Sequence, residues 1–249
     1  MSVIPELLPT VLGVVVLCAV TASILGAARA PFPFAPAVAV LRGALQLVVI
    51  SLILGGVIHS AVWVAIALLV MFTVASVTAA RRLGWSGRRY VAVALTMAAG
   101  ILVTLIVVLG SGALAPTARY ALAIGGIVIG NSMSIATLAG RWFSEAAHRR
   151  WDEVEGWLAI GATPREATRD LARAAIRAAL IPSTDQTKTT GLVTLPGAFV
   201  GAIFGGVSPL EAGRFQIVVL ASIMAAGSIT AVLLVRVLAP VRTRPEPLR

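Results

Sequence analysis

Polar side chains inside lipid are costly, so the residues able to do chemistry stand out in a chain that is 59% hydrophobic. Arg42 and Gln46 are four apart and share one face of a helix; Asn131 and Ser132 adjoin, with Ser134 beyond them. Asp185 and Lys188 have the i, i+3 spacing of an ion pair or a gate. All are candidate lining for a transport pathway. Each also has a structural reading. Arg42 can snorkel to the headgroups, Asn131 can bridge helices at about 0.6–2 kcal/mol, and Asp185 and Lys188 can simply pair.

The same inventory limits the chemistry. A transition-metal ion bound by oxygen or nitrogen favours carboxylate, imidazole or tyrosinate, yet the expected spans carry no carboxylate in their middle, and His59 and His148 fall in an outer turn and a cytoplasmic loop. No metal cage is visible, although transport needs only weak and transient binding. The lone Cys18 forms no disulfide within the chain and no thiolate cluster. A G-x-x-x-x-G-K-[ST] phosphate loop is absent and Lys188 is the single lysine, so this chain does not hydrolyse ATP.

The elements that must position these residues are membrane helices. Only 12% of the 249 residues are charged, against about 25% in a soluble domain, and mean hydropathy is +0.98. Apolar runs repeatedly reach the roughly 20 residues of a helical crossing, without the alternation of a barrel. The runs predict an all-α integral membrane protein of about seven spans: Leu7 to Ala28, Val38 to Ile58, Ala61 to Ala80, Tyr90 to Leu109, Arg119 to Ala139, Thr190 to Val207 and Phe215 to Leu238. The first has no basic n-region and reads as a retained helix rather than a signal peptide. The chain is taken as one transmembrane domain, 1–249, with a long polar interruption at about 141–188.

Charge orients the bundle. Arg81, Arg82, Arg88 and Arg89 crowd one short loop free of acids, which belongs on the cytoplasmic side. That places the N-terminus outside, the C-terminus and the 141–188 segment inside, and leaves only Arg119 and Arg214 of the 20 basic residues at outer ends. A multi-pass protein of the cell membrane is expected. The net charge of +10 is then loop charge of one topological side, and nucleic acid is not an expected partner.

The polar interruption carries the most specific local pattern. Trp151, Val154 and Leu158 recur at helical spacing, with Trp157 and Ile160 flanking and Asp152, Glu153 and Glu155 opposite. This predicts a short amphipathic helix that ends at Gly161 as the C′ residue. A second helix starts at once, with Thr163 as N-cap, Pro164 at N1 and Glu166 completing a capping box. Its face carries Arg165, Arg169, Arg173 and Arg177 at strict i+4 spacing. Periodicity alone leaves open whether these helices lie on the membrane surface or dock a partner.

Two stretches make the pattern recognisable. Glu155-Gly156-Trp157-Leu158-Ala159-Ile160-Gly161-Ala162-Thr163-Pro164, followed by Ala178-Ala179-Leu180-Ile181-Pro182, resembles the cytoplasmic EAA-type loop of ABC transporters. With Ile176-Arg177, with Lys188-Thr189-Thr190-Gly191-Leu192-Val193-Thr194-Leu195-Pro196-Gly197, with Gly130-Asn131-Ser132-Met133 and with Gly205-Gly206-Val207-Ser208-Pro209, the chain is similar to the iron-export permease family. That family comprises the bacterial FetB type and plant aluminium-tolerance relatives. The resemblance is dense from about Gly125 to Ile217 and departs at Phe215, where the family usually carries tyrosine.

The resemblance implies a permease exporting iron or a related metal or chelate, energised by a separate ATPase subunit that binds the ATP. It implies no cofactor on this chain. In the EAA-type loop the short helix ending at glycine docks in the ATPase, which assigns docking to Val154, Trp157, Leu158 and Gly161. About seven spans are half of a usual transporter core, so a homodimer with two ATPase chains is expected. The small-residue faces Gly197, Gly201, Gly205 and Gly126, Gly130 suit close helix packing. Two other classes stay open: a secondary carrier, which should show ionisable residues in mid-membrane or inverted repeats, and a scaffold that only recruits a partner.

Overall fold

The computed structural model describes residues 4–57 and 60–246. It divides into two units, Met1–Val57 and Ile58–Arg249. The expected turn at His59 lies outside the described residues.

The first unit is a helical hairpin of α1 (Ile4–Ala27) and α2 (Ala35–Val57). Among the described side chains both helices present apolar groups outward, and neither candidate span, Leu8–Ala27 or Ala35–Leu52, is buried. Such a surface is unstable in water and ordinary in lipid. Between the helices the chain turns through Arg29 and Phe32 in left-handed backbone, with the Ala30 and Arg29 amides closing on Leu25 and Gly26 carbonyls.

The second unit contains α3 (Ala61–Arg82), α4 (Gly87–Gly110), α5 (Ala118–Arg149), α6 (Trp151–Ala159), α7 (Pro164–Ala167), α8 (Arg169–Thr189), α9 (Gly197–Phe204) and α10 (Pro209–Leu238). Ser86, Thr117 and Ser208 cap α4, α5 and α10 through their hydroxyls. Helices α3, α4, α5 and α10 enclose one apolar core built on Val93, Met97, Ile124 and Val128. A second core lies toward the Arg149 end of α5, where Phe143, Val154, Leu171, Ala175 and Val235 meet.

The helices approach closely where glycine allows it. A Cβ added to Gly100 would meet the Ala226 carbonyl oxygen at 2.5 Å and Thr230 Oγ1 at 2.7 Å. Gly125 lies on Leu68, Gly140 on Leu83 and Gly227 on Ile135. These contacts, with the Tyr120 and Phe215 rings 5.6 Å apart, set the register. Helices α3, α5 and α10 run the same way, whereas the bond from Thr230 to the Thr96 carbonyl fits α4 running against them.

Among the described residues six helices are long and apolar enough to cross a membrane. The segment 190–207 does not form the single helix expected of it. Thr190 bridges to Thr194, Gly191 turns at φ +87°, and Pro196 opens α9, which has eight residues and a rise of about 12 Å against a hydrocarbon core of about 30 Å. A Schellman closure, with amides of Gly206 and Val207 on carbonyls of Ile203 and Ala202, ends it. The expected glycine faces also differ. A Cβ at Gly197, Gly201 or Gly130 would meet nothing within 4 Å, while Gly126 touches only Met71.

Candidate coupling element and transport residues

At the corner between α6 and α7 the local signals do what their chemistry dictates. The Ala162 amide donates to the Trp157 carbonyl and the Gly161 amide to Leu158, a Schellman closure with Gly161 at φ +92°. Thr163 accepts from the Glu166 amide while the Glu166 carboxylate accepts from the Thr163 amide, completing the capping box. The hydroxyl and the amide of Thr163 both favour the charged carboxylate and hold Glu166 below its ordinary pKa. Arg150 hydrogen-bonds Glu153 at 2.8 Å, which lowers the Glu153 pKa and raises that of Arg150.

The expected docking residues divide by direction. Val154 is only 1% exposed, seated among Phe143, Ala147 and Leu171, so its side chain fixes α6 to the bundle and does not face outward. Leu158 packs partly against the same core. Trp157 is 55% exposed and Ile160 76%, and both line a groove of about 590 Å³ between α6 and the start of α8. Glu153, Gly161, Glu166, Arg169 and Asp170 line the same groove with mixed charge. Ile160, a mere flank in the sequence pattern, is thus a principal outward apolar side chain.

One anchoring residue has no sequence signal. Thr168, at 0% exposure, breaks the second helix into α7 and α8 and places its hydroxyl 2.9 Å from the carbonyls of both Pro164 and Ala239. The α7–α8 junction is thereby tied to the end of α10. Nearby, His148 Nδ1 lies 2.8 Å from the Pro245 carbonyl, so its ring secures the C-terminal segment.

The transport candidates lie on α2, α5 and α8. Arg42 and Gln46 are exposed on α2 of the first unit. On α5, half-buried Asn131 donates to the Ile127 carbonyl at 2.9 Å, as a helix-bound amide does. Its neighbour Ser132 is buried, and Ser132 Oγ and Gln216 Oε1 are buried without a hydrogen-bond partner among the described residues. Asp185 and Lys188 pair at 3.4 Å on α8. No group of His, Cys, Asp and Glu that could hold a metal occurs among the described residues.

Register places the Asp185–Lys188 pair deeper than the sequence suggested. Thr168 meets Ala239 and Leu180 meets the site of Gly227, so α8 runs antiparallel to α10. Phe199 of α9 then reaches Gly213 at 4.0 Å. The stretch between Leu180 and Phe199 is therefore bracketed by Gly227 and Gly213, roughly 21 Å apart along α10. Helical rise puts Asp185 near the level of Ser222 and Lys188 near that of Val219. Both fall between Arg214 and Arg236, inside the apolar length of α10.

Long apolar helices and an outward apolar surface define a multi-pass α-helical membrane protein. The chain belongs to the UPF0014 family, described as an uncharacterised protein family, which it matches over residues 9–241. It is 38% identical over 197 residues to the UPF0014 membrane protein STAR2 of Oryza sativa subsp. japonica, covering 78% of this chain and 69% of that one. Identity is 34% over 193 residues to the protein ALUMINUM SENSITIVE 3 of Arabidopsis thaliana, covering 77% and 71%. It is 36% over 141 residues to the probable iron export permease protein FetB of Escherichia coli (strain K12), covering 57% and 54%. No solved structure matches the chain at a significant level.

Proposed function

We propose that this chain is the membrane-spanning permease subunit of an ABC transporter, exporting iron or a related metal or metal chelate, with energy from a separate ATPase subunit. The observation that carries this reading is the α6–α7 corner. A nine-residue helix presents Trp157 and Ile160 outward, is stopped at Gly161, and is rooted in the protein's own core through Val154. An exposed aromatic anchor beside an apolar neighbour and a charged rim is the composition of a protein interface. The absence of a phosphate loop from the sequence supports hydrolysis on a partner, and the name of the FetB relative supports the metal cargo.

The assembly consistent with this reading is a homodimer with two ATPase chains in the cell membrane. Its N-terminus is outside and its C-terminus cytoplasmic. The arginines at 81, 82, 88, 89 and 141 support that orientation, since they share the end of the bundle that carries α6. Co-expression with candidate phosphate-loop ATPases of the same organism tests the proposal. The expected result is co-purification, metal-stimulated hydrolysis in lipid, and loss of both with Trp157→Ala. Purification without any ATPase, together with unaltered metal export, would place the chain among secondary carriers.

A further inference from the structure

The end of α8 is a polar tip at a depth where lipid tolerates none. Residues Ser183 to Thr190 are polar without interruption, and the side chains of Asp185 and Lys188 are 61% and 70% exposed. From Arg214 to Arg236 α10 rises about 33 Å, close to a hydrocarbon thickness, with Ala225 at the middle. Asp185 and Lys188 lie within about 9 Å of that middle by the register above. At the same depth the outer face of α4 is wholly different: Leu102 is 58% exposed and Ile106 70%. One face suits acyl chains, and the other does not.

The tip is also built to favour positive charge. The hydroxyls of Thr187, Thr189 and Thr190 donate to carbonyls of Ser183, Asp185 and Gln186, so their protons are used and their oxygens remain as acceptors. They surround the C-terminal end of α8, the negative pole of the helix dipole. Asp185 adds a carboxylate, and Lys188 stands 3.4 Å away as a cation already in place. Non-helical backbone follows at once in the turn 190–196, and such backbone survives at membrane depth only in protein or beside water.

We propose that α8, the turn 190–196 and α9 form one interrupted crossing whose tip, carrying Asp185 and Lys188, lines a water-filled passage for a cationic or cation-bearing hydrophilic cargo. The cargo's positive charge takes the place of Lys188 at the Asp185 carboxylate. The proposal rests on the permease reading for its purpose, but its test needs no ATPase, so the two fail separately.

Cys18 is the single cysteine, and Cys18→Ser gives a blank background. Single cysteines are introduced by Gln186→Cys, by Ser183→Cys in case the first does not fold, and by Leu102→Cys and Ile106→Cys as controls. Variants that elute as wild type are reconstituted in liposomes and treated with membrane-impermeant cationic and anionic thiosulfonates. The expected result is modification at 186 or 183 and none at 102 or 106. The cationic reagent should be favoured, relative to a free thiol, and Asp185→Asn should lower that cationic-to-anionic preference about tenfold, about threefold from each reagent, as for a unit charge roughly 6 Å away in water. Inertness at both 186 and 183, or a preference unchanged by Asp185→Asn, overturns the proposal.

Discussion

Replacing Thr168 by valine removes one hydroxyl and keeps the shape, which isolates the tie between the α6–α7 corner and α10. The residue is fully buried, and its oxygen lies 2.9 Å from the carbonyls of Pro164 and Ala239. One hydroxyl proton serves one strong bond at a time, so the loss is that of one net hydrogen bond plus the exposure of a buried carbonyl to an apolar methyl. Together these amount to about 1–3 kcal/mol. Thr168→Ser keeps the bond and loses a methyl, at about 0.8 kcal/mol. The valine variant should therefore lower the thermal unfolding midpoint in detergent more than serine does. In the complex it should retain ATPase binding while weakening the stimulation of hydrolysis by metal, because the corner remains but its link to α10 is loosened. A serine variant equal to or worse than valine would refute the hydroxyl argument, since methyl packing would then be the larger effect.

Other outcomes follow from the same geometry. Trp157→Ala and Ile160→Ala should each weaken ATPase recruitment, by about 2 kcal/mol or more for the tryptophan, with little change in unfolding; Val154→Ala should do the reverse, read by co-purification and thermal denaturation side by side. Gly161→Val forces a β-branched residue into left-handed backbone and should redirect α7, losing recruitment while membrane insertion persists by protease mapping. Gly100→Ala gains about 1 kcal/mol of helix propensity but drives a methyl to 2.5 Å from a backbone carbonyl, at about 1–3 kcal/mol or more, so it should destabilise; Gly201→Ala meets nothing and should not. Glu166 has a folded pKa below its ordinary 4.5, so the capping box is intact above that pH and weakens as pH falls through the lower, folded value. Amide exchange at Thr163 should rise there in the wild type, and Glu166→Gln should remove the dependence.

How much of this was legible depended on the range of the interaction. The caps at Thr163 and Gly161 were readable because a capping box and a Schellman closure involve residues within five positions of each other. The long helices were readable from hydropathy alone. By contrast, the resemblance assigns docking to Val154 and Trp157 alike, and only Phe143 and Leu171, contributed by α5 and α8, decide that Val154 of the apolar stripe faces inward while the flanking Trp157 faces out. The break at 190–196 was only partly legible: Pro196 marks a point where a helix can begin or kink, but the apolar run continues on both sides of it and hydropathy does not register a turn. The tight glycines Gly100, Gly125 and Gly227 stand singly on their faces, so spacing drew the eye to Gly197 and Gly201 instead.

The register joins the α6–α7 corner to the polar tip through a single element. Helix α10 begins beside Phe199 of α9, passes Ser222 near the level of Asp185, and ends at the carbonyl that Thr168 holds. A displacement of Trp157 by a bound partner is not absorbed at α6, because Val154 is locked into the core shared by α5, α8 and α10. It is passed to α8 and α10 together, since Leu171, Ala175 and Ala179 pack in that core from α8. Close-packed interfaces move as units rather than deform. The part free to respond is the part without buried side chains: α9 has none, and α8 has none beyond Ala179. Under the proposed function, ATP-driven motion at the corner would therefore be expressed where Asp185 and Lys188 lie, with Pro182 marking the point along α8 at which the packed half gives way to the open one.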